Sequence, residues 1–233
     1  MRVAIADDST EVVRYLTEIV EELGHSASGF HNGDAAVTGL LRDTFDLVVL
    51  DWTMPGRDGI DILTWMREAL ENPPPVLMMT NRTSKRDVTE ALNAGADDYI
   101  TKPEDRSVIA ARINAILRRS PSLPGTEKIV TYGRYIFDRM NHCCTFGGQE
   151  VPLTAKEFEL ADLLFRNSDR TLSRAYIMET VWRTSVNLST RTLDMHISRL
   201  RSKLQLRPEN GIRISTVFGY GYRLESLTVP ETV

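Results

Sequence analysis

In the stretch Leu47-Val48-Val49-Leu50-Asp51, four apolar residues run directly into a carboxylate. A strand without polar alternation is buried on both faces, as the strands of parallel sheets are. Comparable runs stand at residues 3–6 before Asp7-Asp8, at 76–79 before Thr80, and at 99–100 shortly before Lys102. We therefore expect several parallel strands in one buried sheet.

Helical periods separate these runs. Val12, Leu16, Ile19 and Leu23 recur at helical spacing and stop at Gly24. Strands that alternate with helices predict an α/β fold, here with about five parallel strands in a doubly wound sheet of ~120 residues. In such folds, functional sites form at the carboxyl ends of the strands.

Length and composition exclude several classes of protein. The 233 residues are 42% hydrophobic and 26% charged, a balance typical of core-forming chains rather than of disordered or fibrous ones. No apolar run approaches the ~18 residues that cross a bilayer, and acidic residues follow the start too closely for a signal peptide. We expect a cytoplasmic protein without a membrane partner.

The two cysteines, Cys143 and Cys144, are adjacent. Neighbouring side chains of a strand point to opposite faces, so this pair offers neither a disulfide framework nor a CxxC metal site. We expect both cysteines to be buried core residues of a protein in a reducing compartment. The alternative is that they sense oxidants.

A segment that cannot continue a helix divides the chain. Ser120-Pro121-Ser122-Leu123-Pro124-Gly125-Thr126-Glu127 contains two prolines and a glycine. It predicts a linker at residues 120–127 between a first domain at 1–119 and a second domain at 128–233.

In the second domain, short strands precede helices. Strands are predicted at 135–137 and 143–146, and Thr154-Ala155-Lys156-Glu157 forms a capping box that begins a helix. Two more helices are predicted at about 174–182 and 191–204, and a hairpin around Gly219 and Gly221 follows at 212–224. Three helices and a terminal hairpin predict an α+β winged helix-turn-helix domain. Its core-facing residues would be Phe158, Ala161, Leu164, Phe165, Leu193, Ile197, Leu200 and Leu204.

Charge is distributed unevenly along the chain. Residues 1–120 carry 13 Lys and Arg against 20 Asp and Glu, whereas residues 183–223 carry eight basic residues against two acidic ones, Asp194 and Glu209. A polyanion partner is one interpretation of the basic stretch. A solvated helix face is the other.

Reactive side chains follow four of the predicted strands: Asp7-Asp8, Asp51, Thr80 and Lys102. Carboxylates that converge at one edge repel each other, which a hard divalent cation such as Mg²⁺ relieves. Asp51 could then act as a nucleophile that forms an aspartyl phosphate, with Lys102 and Thr80 stabilising phosphoryl oxygens. For any one position, helix capping or a simple turn is an alternative role.

These residues, together with Met54-Pro55-Gly56, Lys102-Pro103 and Gly95-Ala96-Asp97-Asp98-Tyr99, resemble the receiver domain of bacterial two-component response regulators over residues 1–119. The resemblance implies a flavodoxin-like fold and phosphoryl transfer from a sensor histidine kinase to Asp51. It implies Mg²⁺ held by Asp8, Asp51 and the Thr53 carbonyl, with Asp7 acting through water. It also implies a cis peptide before Pro103, and a Tyr99 ring that turns inward when Thr80 engages the phosphoryl group.

The second half resembles the OmpR/PhoB-type effector domain from end to end. The motifs that carry this resemblance are Leu153-Thr154-Ala155-Lys156-Glu157-Phe158, Val181-Trp182, the helix from Arg191 to Leu204, and Ser215-Thr216-Val217-Phe218-Gly219-Tyr220-Gly221-Tyr222-Arg223-Leu224. An α-helix fits the major groove, and a hairpin can reach the neighbouring minor groove. The DNA-facing positions implied by the resemblance are Arg191, Met195, His196, Ser198, Arg199, Arg201 and Thr216, with Trp182 and Arg174 supporting backbone contacts. A core role for Trp182, and a bond from His196 to protein or phosphate rather than to metal, are the simpler interpretations.

Three departures from the family lead to hypotheses. Phe218 stands where the family places an arginine, so the wing would depend less on salt. At the expected receiver dimer interface, Asp98 and Arg112 match one usual ion pair, but Val88, Val108, Asn93 and Asn114 replace charged residues. A two-fold dimer with an apolar Val88/Val108 contact would therefore resist salt. Trp52 and Asn81 are bulky neighbours of the acceptor site and would change the phosphoryl lifetime.

The sequence thus predicts a phosphorylation-regulated transcriptional regulator. Expected partners are a sensor histidine kinase, promoter DNA, RNA polymerase and a second copy of the chain. Beyond self-phosphorylation from phosphodonors and slow self-dephosphorylation, no enzyme activity is expected. The alternatives are a phosphorylation-independent DNA-binding regulator that uses the receiver to dimerise, and a Mg²⁺-dependent phosphohydrolase.

Overall fold

The computed structural model describes residues 1–119, 127–183 and 190–227. The chain divides into two compact units, and the division falls among residues 120–126. The predicted linker, apart from Glu127, therefore lies outside the described residues. No helix among the described residues has both the length and the hydropathy needed to span a membrane.

The first unit alternates strands and helices throughout. Its elements are β1 (Arg2–Ala6), α1 (Thr10–Glu22), β2 (Ser26–Phe30), α2 (Gly33–Arg42), β3 (Leu47–Leu50), α3 (Gly59–Ala69), β4 (Val76–Thr80), α4 (Lys85–Asn93), β5 (Asp98–Thr101) and α5 (Arg106–Leu117). Side chains cap several helices: Ser9 accepts from the Val12 N–H, Asn32 from Ala35, and Ser84 from Asp87.

The five strands form one parallel sheet in the order β2-β1-β3-β4-β5. The apolar runs of β3 and β4 are buried along their whole length. One face of the sheet packs against α1 and α5, including Leu16 and Ile113, and the other packs against α2, α3 and α4. The predicted doubly wound α/β fold is confirmed.

The sequence patterns did not locate β2. Its residues, Ser-Ala-Ser-Gly-Phe, are small or polar and none is fully buried. The strand lies at the edge of the sheet and pairs with β1 alone. The faces of this edge strand are only partly covered, so it needs no continuous apolar run.

In the part of the second unit that the structure describes, there are two antiparallel sheets and three α-helices. Its elements are β6 (Ile129–Tyr132), β7 (Tyr135–Asp138), β8 (Cys143–Phe146), β9 (Gln149–Val151), α6 (Ala155–Arg166), β10 (Thr171–Ser173), α7 (Arg174–Trp182), α8 (Thr190–Lys203), a 3-10 turn (Pro208–Asn210), β11 (Ile212–Val217) and β12 (Gly221–Ser226). The sheets have the orders β6-β7-β8-β9 and β10-β12-β11. The capping box of Thr154 and Glu157 forms as predicted, and so do the three helices and the hairpin.

One hydrophobic core holds the second unit together, and all eight residues predicted to face it are buried. Strands β6, β9 and β10 were not predicted, because each has only three or four residues and little apolar alternation. Cys144 is buried and Cys143 is partly exposed, and both are free thiols. Burial raises the pKa of Cys144 to about 12, so it is an inert core residue.

Candidate functional site

Three carboxylates meet at one edge of the parallel sheet. Ala6 and Leu50 are register partners at the ends of β1 and β3, and the Asp51 N–H donates to the Ala6 carbonyl at 2.9 Å. One ligand oxygen from each of Asp7, Asp8 and Asp51 lies within 4.8 Å of the others. Asp7 and Asp51 are buried, whereas Asp8 is exposed. The sheet therefore assembles the cluster that the strand ends predicted.

Lys102, just beyond β5, neutralises part of this cluster. Its Nζ donates to Asp7 and lies 3.2 Å from an oxygen of Asp51. Burial raises the pKa of the Asp51 carboxyl above its ordinary value, while the Lys102 ammonium opposes the rise and Asp7 adds to it. The peptide bond between Lys102 and Pro103 is cis, as the resemblance implied.

One ammonium facing three carboxylates leaves a negative site lined by oxygen donors. This donor set fits Mg²⁺, which prefers carboxylate oxygens and water. Thr53, whose carbonyl was predicted to be a ligand, lies exposed in the loop after Asp51. The described residues contain no second group of three His, Cys, Asp or Glu side chains close enough to share an ion.

Gly59 closes the loop that follows Asp51, and sequence reasoning missed it. Its N–H donates to the Trp52 carbonyl at 2.6 Å. A Cβ at position 59 would lie 1.9 Å from the Asp51 carbonyl oxygen, which no side chain tolerates. The only available signal was an isolated glycine before a helical period.

Thr80 and Tyr99 both fasten the loop after β4, through Arg82. The Arg82 N–H donates to the Thr80 hydroxyl at 3.4 Å, and the Tyr99 hydroxyl donates to the Arg82 carbonyl at 2.8 Å. Tyr99 is buried, so its ring already lies inward in this structure. The Arg82 guanidinium also stacks over the Trp52 ring, 4.7 Å from its centroid. Nothing in the sequence pattern singled out Arg82.

In the second unit, α8 has a buried face and a basic face. Leu193, Ile197 and Leu200 are fully buried. Of the residues predicted to face DNA, Arg191, Met195, Ser198 and Arg199 are exposed on the opposite side. The Arg199 guanidinium contacts the Met195 sulfur at 3.5 Å.

Two other predicted DNA-facing arginines are engaged within the protein. Arg201 donates to the Ile214 carbonyl, at 2.7 Å from Nη2, and to the Thr216 hydroxyl at 3.2 Å. Arg174 lies 2.7 Å from an oxygen of Asp194 and 3.2 Å from the Tyr222 hydroxyl. The resemblance gave both residues a DNA role, and the structure gives each a second role that joins α8 to neighbouring elements.

Trp182 and His196 pack against each other. Their ring centroids are 5.3 Å apart, and Trp182 is half-buried against the hydrophobic core. The Nδ1 atom of His196 is buried, and it finds no hydrogen-bond partner among the described residues. Burial lowers the pKa of the His196 imidazole below its ordinary value.

Two further predicted features have definite positions. Phe218, at the turn between β11 and β12, is 99% exposed, and Gly219 beside it has a φ of 72°. At the expected dimer face, Arg112 donates to both oxygens of Asp98 in the same chain, at 2.9 and 2.7 Å. Val88 is half-buried against the core between the parallel sheet and helices α2, α3 and α4. Val108 is half-buried on α5.

Comparisons with known proteins agree with this arrangement. Residues 3–114 match the family model of the response regulator receiver domain, and residues 148–224 match that of the transcriptional regulatory protein, C terminal. The sensory transduction protein RegX3 of Mycobacterium tuberculosis H37Rv is 35% identical over 225 residues, which cover 96% of this chain and 98% of that protein. The transcriptional regulatory protein ResD of Bacillus subtilis 168 is 32% identical over 231 residues, covering 96% and 95%.

Among solved structures, the response regulator DrrB of Thermotoga maritima, described as an OmpR/PhoB homolog, is similar with a TM-score of 0.47 and 27% identity. The similarity covers 97% of this chain and 99% of that one.

Proposed function

Because the chain belongs to the two-component response regulators of the OmpR/PhoB type, and is thus a phosphorylation-regulated transcriptional regulator, we propose that Asp51 is its phosphoacceptor. The observation that carries this proposal is the convergence of Asp7, Asp8 and Asp51 with the Lys102 ammonium at one sheet edge. A sensor histidine kinase is the donor that this family implies.

The transfer is a substitution at phosphorus. A carboxylate oxygen of Asp51 attacks the phosphorus, the bond from phosphorus to the imidazole nitrogen of the kinase's phosphohistidine breaks, and the electron pair stays on that nitrogen. Lys102, 3.2 Å from Asp51, stabilises the negative charge of the phosphoryl oxygens, and the Thr80 hydroxyl donates to one of them. The same chemistry supports self-phosphorylation from small phosphodonors and slow self-dephosphorylation.

Mg²⁺ would be held by Asp8, Asp51 and the Thr53 carbonyl, with Asp7 acting through water. When bound, the ion neutralises charge on the carboxylates and on the transferred group. The donor set supports this assignment, because among the described residues the three acidic side chains are paired with a single ammonium, that of Lys102.

Phosphorylation would act by shifting a population of conformations. The Thr80 hydroxyl accepts a hydrogen bond from the Arg82 N–H and keeps its own proton to donate. A Thr80 side chain that moves to donate to a phosphoryl oxygen would shift the loop at Arg82, which Tyr99 also holds. The change favours a receiver dimer through Val88, Asp98, Val108 and Arg112, and two linked DNA-binding domains bind paired half-sites more tightly than one.

For DNA, we place α8 in the major groove and the hairpin of β11 and β12 over the minor groove. The exposed face of α8 supports this placement. The proposed contacts are Arg191, Met195, His196, Ser198, Arg199, Arg201 and Thr216, with Trp182 and Arg174 beside the backbone, where the pair with Asp194 would weaken the hold of Arg174 on a phosphate. RNA polymerase is the proposed partner of the DNA-bound dimer.

The phosphoacceptor is tested by intact-protein mass spectrometry after incubation with acetyl phosphate and Mg²⁺. The wild-type chain should gain about 80 Da, and Asp51→Asn should gain nothing. Asp61→Asn, which changes an exposed carboxylate on α3, is the matched control and should gain the same mass as wild type. EDTA should suppress the gain, and an equal gain in Asp51→Asn would overturn the proposal.

Footprinting of promoter DNA separates regulated from unregulated binding. Wild type treated with acetyl phosphate should protect DNA at lower protein concentration than untreated protein, and Asp51→Asn should not respond. Equal protection by both proteins under phosphorylating conditions would instead favour a phosphorylation-independent regulator.

A further inference from the structure

The acidic residue Asp194 lies in the middle of the basic face of α8. It follows Arg191 by three positions and precedes Ser198 by four, so it is a surface neighbour of both. Residues 183–223 contain only one other acidic residue, Glu209. The Asp194 side chain remains 47% exposed despite its contacts. A carboxylate in this place opposes the attraction of DNA phosphates, so its presence calls for an explanation.

One oxygen of Asp194 contacts two neighbouring elements. Oδ1 of Asp194 accepts from the Tyr222 hydroxyl of β12 and lies 2.7 Å from Nη1 of Arg174, the first residue of α7. Arg174 and Tyr222 also contact each other, with the guanidinium 5.1 Å from the ring centroid. Three side chains from α7, α8 and β12 therefore form a closed triangle, which we call the Asp194 triangle.

The Asp194 triangle fixes the position of α8. Tyr222 is itself buried, and β12 pairs with β10 directly before α7. A side chain that is bonded to two rigid elements restricts how far α8 can slide or rotate against them. Base readout requires that restriction, because bidentate contacts tolerate only small displacements.

The Asp194 triangle also removes a free cation from the DNA-binding surface. The Asp194 carboxylate offsets the Arg174 charge, so Arg174 attracts a phosphate less strongly than an unpaired arginine would. Attraction of phosphates by basic residues is independent of sequence and supplies essentially all of non-specific binding. A carboxylate that holds Arg174 therefore weakens complexes in every register. The complex with the specific sequence loses less affinity, because in that complex the pair of Arg174 with Asp194 also holds α8 in position.

We propose that Asp194 is a specificity-determining residue: one of its carboxylate oxygens both positions the recognition helix and withholds Arg174 from DNA phosphates. This inference rests on the proposed DNA surface of α8. It assigns to an acidic residue a part of sequence discrimination that base-contacting residues do not supply.

The test compares two duplexes bound by the full-length chain treated with acetyl phosphate and Mg²⁺. One duplex is selected by the wild-type protein from a random pool, and the other is a shuffled sequence of the same composition. Affinity is measured by fluorescence anisotropy at several salt concentrations.

Asp194→Asn removes the charge but keeps an oxygen that can accept both hydrogen bonds. It should bind the shuffled duplex several-fold more tightly at low salt. The slope of its plot of log affinity against log salt should steepen by about 0.9, the value for one additional phosphate contact. The ratio of selected to shuffled affinity should fall. Glu209→Gln makes the same change of net charge in the exposed 3-10 turn and is the matched control.

Tyr222→Phe tests positioning separately, because it keeps both charges and the ring. It should weaken binding to the selected duplex several-fold, with the salt slope and the shuffled affinity unchanged. Circular dichroism and thermal unfolding establish that each variant is folded.

The outcomes separate this inference from the proposed function. If wild type prefers the selected duplex but Asp194→Asn behaves as Glu209→Gln does, the inference is wrong and the DNA-binding proposal stands. Unchanged discrimination in Tyr222→Phe removes the positioning role. If wild type does not distinguish the two duplexes, both proposals fail.

Discussion

Phe218 exposes almost its entire ring at the tip of the hairpin, where the resemblance leads one to expect an arginine. An aromatic ring brings apolar contact to sugar surfaces or base steps, and it brings no charge. We expect Phe218→Ala to weaken binding to a selected duplex by about tenfold, or ~1.4 kcal/mol, without changing the salt slope.

Phe218→Arg is the informative partner of that variant. It should steepen the salt slope by about 0.9 as one additional cation meets the phosphates. Anisotropy titrations over a range of salt concentrations measure both quantities. If Phe218→Arg leaves both the affinity and the slope as in wild type, the hypothesis is wrong.

Trp52 and Asn81 flank the acceptor site in different ways. Trp52 is buried beneath the Arg82 guanidinium, whereas Asn81 is exposed. We expect Trp52→Val to shorten the phosphoryl lifetime about threefold, equivalent to less than ~1 kcal/mol of barrier, because water gains access where the ring is lost. Asn81→Ala should change the lifetime less. Time courses by intact mass after removal of acetyl phosphate measure both, and a larger effect of Asn81→Ala would contradict this reasoning.

The side chain that helps to begin helix α6 also contacts a residue far along the chain. The capping box predicted by Thr154 and Glu157 forms, and the Glu157 carboxylate also lies 2.7 Å from the Lys203 ammonium at the end of α8. Burial opposes ionisation of Glu157, but the hydrogen bonds from Lys203 and Thr154 outweigh it and lower the pKa of the carboxyl. One side chain thus both begins α6 and ties it to α8.

Glu157→Ala should therefore lower the free energy of unfolding by about 2 kcal/mol, since it removes a cap and leaves Lys203 without its carboxylate partner. Glu159→Ala, which breaks the exposed pair with Lys156, should cost less than ~0.5 kcal/mol. Urea unfolding measures both, and similar costs would contradict the structure.

The ion pair between Glu157 and Lys203 also makes the stability of the fold depend on pH. Because the folded pKa of Glu157 lies below its unfolded value, its ionic contribution is fully present above the unfolded pKa and is lost as pH falls through the folded pKa. The difference in stability between wild type and Glu157→Gln should accordingly shrink as the pH is lowered from neutral into that acidic range.

The expected receiver dimer face differs at two positions from what the resemblance implies. Arg112 and Asp98 form an ion pair within the chain, and Val88 and Val108 replace two charges that the resemblance leads one to expect. We propose that the activated dimer is held largely by apolar contact, which salt does not screen.

Sedimentation of the acetyl phosphate-treated protein should therefore give nearly the same dimer affinity at low and high salt. Val108→Asp should weaken dimerisation about tenfold, or ~1.4 kcal/mol. Leu41→Asp, at an exposed apolar residue on α2, should not. Steep weakening of the wild-type dimer by salt would count against the apolar contact.

The sequence by its local patterns predicted the two fold classes, most of the buried strands and the edge at which the acidic cluster lies. Apolar runs, helical periods and the capping box are local patterns, and the carboxyl ends of parallel strands must share one edge of their sheet. The sequence therefore predicts that Asp7, Asp51 and Lys102 lie close together. It does not locate the polar edge strand β2, because pairing with β1 rather than composition makes that segment a strand.

The tertiary structure alone shows which of the arginines predicted to face DNA also bind distant parts of the protein. Arg201 is bonded to residues of β11 and Arg174 to Asp194 and Tyr222, and the side chains of Arg191 and Arg199 are exposed. The partners of the first two lie 13 to 48 positions away in the chain. A long side chain binds whichever partner lies within reach in the folded structure. The spacing of residues along a helix does not reveal which distant residues lie within that reach.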